Sequence, residues 1–179
     1  MESPGDFTCT KCGNKEDLLR CVDCWMSPLW CKGCCVDVHI HSPFHRVEMW
    51  TGRYFKQSSL MDIGYVLHLG CNRQHNDDQS QSTPTSSSVV LVHSTGIFTQ
   101  KVVWCTCNVP RHLQLLRHRL YPASTKNPCT AFTFDVLEYF YMDALECKTA
   151  AMKFYTKLCR FTNNSFPDSV PVSTFLVLE

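Results

Sequence analysis

The sequence predicts an α+β chain in two parts: a small finger of short hairpins at residues 1–50, and a larger piece at 51–179. Three observations carry this expectation. Residues 9–50 are crowded with Cys and His and hold little continuous apolar sequence, so cross-links rather than a hydrophobic core must order them. Residues 89–104 contain two β-branched apolar runs around a turn, the pattern of a β-hairpin. Residues 130–161 repeat apolar side chains at helical spacing. With 44% hydrophobic and 18% charged residues over 179 positions, the composition is that of a folded chain.

The cross-links come first, since they decide the chemistry. Thirteen cysteines is an odd number, which leaves a thiol unpaired in any all-disulfide scheme. The N-terminus, "MESPGDFTCT", lacks the basic and apolar regions of an export signal, so a reducing compartment is expected, where stable disulfides are rare. Metal binding fits better. The cysteines are spaced as Cys9-x2-Cys12, Cys21-x2-Cys24 and Cys31-x2-Cys34, followed by His39, His41 and His45. A C-x-x-C turn sets two sulfurs at neighbouring corners of a tetrahedron, as structural zinc requires.

Six cysteines and two histidines suit two Zn2+ ions, and two wirings are open. In the sequential one, Cys9, Cys12, Cys21 and Cys24 hold the first ion and the rest hold the second. In the cross-braced one, Cys9, Cys12, Cys31 and Cys34 form site 1, and Cys21, Cys24, His39 and His45 form site 2, with His41 as alternate for His39. "LLRC" and "PLWC" flank "VDCWMS" as a hairpin would, which favours interleaving and hence the cross-brace. Because the histidines close the ligand series, the pattern resembles ZZ-type and B-box fingers rather than RING or PHD fingers. Cys35 is expected to be a buried thiol beside the ligands.

Beyond the finger, Leu60, Ile63, Val66 and Leu67 suggest a short helix within residues 53–75. Residues 76–88 form a polar, Ser/Thr-rich loop. Val89–Val92 and Lys101–Trp104 are the expected hairpin strands, turning at Ser94–Gly96. Cys105-x-Cys107 ends the second strand with both side chains on one face. With Cys71 and His75 they would close a third Zn2+ site. In the last segment Thr133 is the expected N-cap, with Asp135 and Glu138 in the first turn. Val136, Leu137, Phe140, Ala144 and Leu145 make one apolar face, which Cys147, Ala150, Ala151, Phe154 and Leu158 continue on one long or two abutting helices. Cys147 and Cys159 are expected as small core residues, and Cys129 has no close ligand partner.

The formal charge of +1 hides a local imbalance. No Asp or Glu occurs from Gln79 to Phe134, a stretch that carries Lys101, Arg111, Arg117, Arg119 and Lys126. Arg111, Arg117, Arg119 and Lys126 are therefore candidates for contact with nucleic-acid phosphates.

The ordered blocks "RCVDC…WCKGCCVDVHIHSPFHRVEMW", "CTC", "QLLRHRLYPAS", "PCTAFTFDVLEYF" and "KTAAMKFYTKLCRFTNN" resemble the cysteine-cluster (CxC-like) domain associated with KDZ (Kyakuja–Dileera–Zisupton) transposases, from about Cys9 to Asn163. The resemblance implies a zinc module that precedes an RNase H-like transposase domain and engages DNA or chromatin in the nucleus. Where the family has Leu-Gly-His followed by Cys, this chain has Leu69-Gly70-Cys71 and then His75, an exchange that keeps four ligands. After Asn164 the pattern fades, and three separated catalytic carboxylates do not fit in what remains, so the chain looks like a truncated or excised relative.

The expected function is thus non-catalytic: a zinc-binding module whose partner is DNA or a histone or other chromatin protein. The alternative is a ZZ/B-box-like module that grips a peptide tail, through acidic residues such as Asp17, Asp23 and Asp37, or acts as a scaffold. No enzyme signature stands out, since the finger ligands leave no open coordination position and no zinc-deaminase motif is present. No apolar run approaches the roughly 20 residues of a membrane span, and no small-molecule substrate is expected.

Overall fold

Short apolar pieces of the N-terminal part pair as one sheet. Leu18–Cys21 (β1) runs antiparallel to Leu29–Cys31 (β2) and to Val47–Trp50 (β3). Phe55–Ser58 (β4) completes it in the order β2-β1-β3-β4. Lys32–Val38 (α1) leaves the end of β2 directly. The computed structural model describes residues 7–70, 85–106 and 108–170, and the chain forms two compact units, Met1–Tyr65 and Val66–Glu179. In the first, the buried apolar side chains are few: Leu18, Leu19, Trp30, Val47, Leu60, Ile63 and Tyr65, with Cys9, Cys21 and Cys35. That is a small core for a unit of this size, and it leaves the cysteine and histidine groups to supply cohesion.

Among the described residues, the helix expected within residues 53–75 does not form over 53–70. Its place is taken by β4, a single turn over 59–64, and the strand Val66–Leu69 (β5). Ser59 and Asp62 exchange backbone-to-side-chain hydrogen bonds of 3.1 Å each, and Tyr65 N–H donates to Leu60 O, so Leu60 and Ile63 are buried without a helix. Gly64 then turns the chain at φ +96°, a conformation that no helix continues through. Beyond it, Val66–Leu69 have a sheet to join.

That sheet belongs to the second unit. Ser86–His93 (β6) and Gly96–Trp104 (β7) form the expected hairpin, in register from Ser86 opposite Val103 to His93 opposite Gly96. The polar loop expected over 76–88 thus gives way to strand from Ser86, while 76–84 lie outside the described residues. Leu120–Pro122 (β8) and Thr130–Thr133 (β9) complete the order β5-β7-β6-β9-β8, with β5 parallel to β7 and β6 parallel to β9. Arg111–Arg117 (α2) lies between β7 and β8 in the chain.

Phe134–Cys147 (α3) and Ala151–Thr162 (α4) follow. Thr133 caps α3 as expected, its Oγ1 accepting the Val136 amide at 3.2 Å. Lys148, at φ +51°, ends α3 in a left-handed cap, so there are two helices rather than one. Phe154 and Leu158 of α4 pack with Val92, Ile97, Phe132 and Val136 to make the core. The expected stripe is corrected at its join: Leu145, Cys147 and Ala150 are exposed, and the chain turns at the left-handed Lys148 between the helices. Cys159 is buried, and Cys129 is exposed.

Candidate metal centres

Two groups of potential ligands assemble in the first unit. Cys9, Cys12, Cys31 and Cys34 bring their sulfurs within 4.8 Å of one another, and Cys21, Cys24, His39 and His45 do the same with one ligand atom each. The pairs thus alternate along the chain, the first meeting the third and the second meeting the histidines.

The first group sits where a turn docks on the sheet. Cys9 N–H donates to Asn14 O at 2.7 Å and Gly13 N–H to Cys9 O at 2.8 Å, with Gly13 at φ +76°. Thr10 fastens this turn to β2, its amide and its hydroxyl each donating to Leu29 O at 2.9 Å. Cys31 closes β2 and Cys34 lies in the first turn of α1, so one continuous piece of backbone presents the opposing pair. Cys12 Sγ and Cys31 Sγ are 3.6 Å apart.

The second group is held by the other end of α1 and the loop after β1. His39 is the C-cap of α1 and fully buried, packed edge-on against Trp30. Its Nδ1 lies 2.8 Å from Cys35 O, the bond of a protonated Nδ1 donating to a carbonyl, which turns Nε2 toward Cys24 Sγ at 3.5 Å. His45 approaches through Nδ1, 3.5 Å from Cys21 Sγ and 3.3 Å from Cys24 Sγ. His41, the alternate, is exposed and outside the group.

Asp23 completes the frame: its carboxylate accepts the Arg46 amide at 2.6 Å and the Arg46 guanidinium at 2.6–3.2 Å. It therefore ties the Cys21–Cys24 loop to the residue after His45. Burial opposes the charge of Asp23, but Arg46 outweighs it and holds the carboxyl below its ordinary value. Spacing gave no hint of this clamp. Two charged residues next to ligands on different segments are its only trace in the sequence.

Crowding and burial set the behaviour of the thiols in these groups. Burial pushes the Cys9 thiol up, yet amides of Cys31, Cys12 and Lys11 outweigh it and bring the group down to about 6. Cys34 is pushed up to about 12 by burial and by the sulfurs of Cys31, Cys12 and Cys9. Cys21 also rises to about 12, through burial and Cys24. Four thiols this close cannot all ionise unless a positive ion sits among them. Burial lowers the pKa of His39, which keeps the ring neutral, as a metal ligand must be. The cysteines of the described residues are free of disulfides, and both groups could hold a metal ion.

Cys35 stands beside the ligands without joining them. It is fully buried, its Sγ lies 3.7 Å from His39 Nδ1, and burial followed by the charges of Cys21 and Cys24 pushes its thiol up to about 12. Of the expected third group, Cys71, His75 and Cys107 lie outside the described residues. Cys105 follows β7, and Gln114 grips it: Cys105 N–H donates to Gln114 Oε1 at 2.9 Å, while Gln114 Nε2 donates to Cys105 O at 3.3 Å and Val109 O at 2.8 Å.

Among the expected nucleic-acid residues, Arg111 lies over the Trp104 ring at 5.1 Å and Arg119 over the Phe134 ring at 5.6 Å. Arg117 and Lys126 are exposed. Among the described residues none of the four takes part in an ion pair. The acidic residues considered for a peptide grip differ. Asp37 pairs with Lys11 at 3.1 Å, Asp17 with Lys32 at 2.9 Å and Asp23 with Arg46 at 2.6 Å.

Fold and site together define a cysteine- and histidine-rich module with metal-binding capacity. The sequence model of the CxC2-like cysteine cluster associated with KDZ transposases matches residues 60–166, and the chain belongs to this family. That family is a transposase-associated cysteine cluster, not a catalytic domain. The match covers 107 of 179 residues, and it begins after the last of the eight clustered ligands, His45. Neither curated proteins nor solved structures yield a match. Among the described residues, no helix is long and apolar enough to cross a membrane.

Proposed function

We propose that this protein is a non-catalytic zinc module that engages DNA in the nucleus, two Zn2+ ions folding its first unit as a cross-brace of the ZZ/B-box kind. The carrying observation is the alternating convergence of eight ligand atoms. Zinc–sulfur and zinc–nitrogen bonds of about 2.3 and 2.05 Å give tetrahedral edges of about 3.8 Å between sulfurs and about 3.6 Å between sulfur and nitrogen. The 3.6 Å between Cys12 and Cys31 and the 3.3–3.5 Å from the cysteine sulfurs to the histidine nitrogens are close to those edges. An all-Cys/His donor set favours zinc over magnesium or calcium, which take oxygen ligands.

A third Zn2+ held by Cys71, His75, Cys105 and Cys107 belongs to the same reading. Leu69 lies opposite Trp104 in the parallel pair β5–β7, so both strands end together, one leading to Cys71 and the other to Cys105. The Gln114 bracket holds the Cys105 backbone in place just after β7.

DNA is favoured over a peptide tail by the difference in charge pairing. Arg111, Arg117, Arg119 and Lys126 have no carboxylate partner among the described residues, whereas Asp17, Asp23 and Asp37 are each engaged by a cation of their own unit. Native mass spectrometry of the full chain, paired with titration of labelled DNA at several salt concentrations, tests this reading. Two or three zinc ions and an affinity falling steeply with salt are expected. A chain that keeps its fold after complete metal removal would overturn the zinc assignment. Binding of a histone-tail peptide but not DNA would turn the partner assignment to the alternative module.

A further inference from the structure

One residue in the basic region sits in a backbone conformation that favours glycine. Arg119, between α2 and β8, has φ +58°, the left-handed turn in which a helix ends. Its amide donates to Leu116 O at 3.0 Å and its carbonyl accepts from Phe134 N–H at 3.2 Å, so both sides of the residue are fixed. Glycine would hold this turn with less strain. Keeping an arginine there is explained if its side chain has work to do, and its guanidinium already rests over Phe134.

The next rung of the same edge carries Tyr121. It pairs with Phe132 across the ladder, while Leu120 and Pro122 on either side are buried. Tyr121 is 44% exposed. The strand is the outer edge of its sheet, but Pro122 lacks an amide there, which disfavours addition of a peptide strand. This edge therefore offers an aromatic face flanked by Arg117 and Arg119 on one side in the chain and Lys126 on the other, in a stretch without any acidic residue from Gln79 to Phe134. Base stacking on an aromatic ring beside phosphate-binding cations is how proteins hold single strands.

We propose that the β8 edge takes an unpaired stretch of nucleic acid, with Tyr121 stacking on a base and Arg119 meeting the adjoining phosphate. This rests on the DNA reading above and narrows it to single-stranded segments. The experiment is fluorescence anisotropy of the zinc-loaded full chain with a labelled oligothymidylate and with a duplex of equal length. The wild type is expected to prefer the single strand. Tyr121→Ala should lower that affinity by roughly 5- to 150-fold, the range set by one lost stacking contact, and Tyr121→Phe should keep it. Arg119→Gly should preserve the thermal midpoint while lowering the slope of log K against log salt by about 0.7, and Arg119→Lys should restore the slope. Duplex binding equal to single-strand binding, with Tyr121→Ala silent, overturns this inference and leaves the DNA reading standing. No binding to either nucleic acid removes both.

Discussion

Gly96 opens β7, and replacing it with alanine tests whether α4 is seated on the β6–β7 hairpin as described. At φ +152° the backbone there suits only glycine, and a Cβ would stand 2.9 Å from Thr162 Oγ1, closer than real contacts allow. The hydroxyl has little room to retreat. It accepts the Ile97 amide at 2.7 Å and donates to Leu158 O at 2.9 Å. The strained backbone costs about 1–3 kcal/mol, and stripping the amide of buried Ile97 of its acceptor costs a further ~1–3 kcal/mol. With partial relaxation, Gly96→Ala should lose about 2–4 kcal/mol, a large share of the roughly 5–15 kcal/mol that holds a domain together. Urea unfolding followed by NMR at the Trp104 indole, which donates to Ser87 Oγ at 2.8 Å, reports on this unit alone, because the other three tryptophans lie in the first. Thr162→Ala should cost about 1–3 kcal/mol by itself. In the double variant the nearest remaining Thr162 atoms are at 3.6 Å, ordinary contact, so the two losses should add to less than their sum. A Gly96→Ala protein within about 0.5 kcal/mol of wild type, or strictly additive losses, would refute this seating of α4.

Other outcomes follow from the site. Cys35→Ser should keep the full metal count in native mass spectrometry, whereas Cys24→Ser should lose one ion and much of the first unit's stability, since a structural zinc contributes on the order of 10 kcal/mol. Asp23→Asn should lower the stability of the metal-loaded first unit by about 1–2 kcal/mol in thermal unfolding, because the loop before β2 loses its hold on Arg46. Lys157, 2.8 Å from Asp143 and above the Tyr139 and Phe154 rings, holds the Asp143 carboxyl below its ordinary value. A depressed carboxyl stabilises the fold above its unfolded pKa, so this contribution should be present at neutral pH and disappear below about pH 4. Acid unfolding of Asp143→Asn alongside wild type would show it as a smaller loss in the variant.

The eight clustered ligands were legible because C-x-x-C spacing is local, and a few residues of turn are enough to specify it. Thr133 and the hairpin strands were legible for the same reason: a cap and an alternation are written within one turn or one strand. The strand at Val66–Leu69 was not, since its partner Lys101–Trp104 lies more than thirty residues away and parallel pairing leaves no turn signal between the two. Leu60 and Ile63 are buried in a single turn as they would be in a helix, and their spacing alone does not carry the break at Gly64. Cys147 was misplaced because a stripe read across Lys148 ignores the left-handed turn there, whereas Leu145 is exposed within α3 itself. Asp23 and Arg46 carried only the trace of two charges beside the Cys and His positions, since a clamp between two loops has no period. His39 and His41 could not be separated by spacing, and burial against Trp30 and the Cys35 carbonyl separates them.

Alternation of the ligand pairs has a consequence for how such a module is inherited and synthesised. A sequential arrangement could be cut after Cys24 and still yield one whole ligand set. Here a break anywhere between Cys21 and Cys31 separates members of both sets at once. A fragment that keeps either set whole therefore carries two stranded members of the other. On the ribosome the first set is complete once Cys34 has emerged and the second only with His45. Order of emergence, set by the chain alone, thereby fixes which of the two sets can close first.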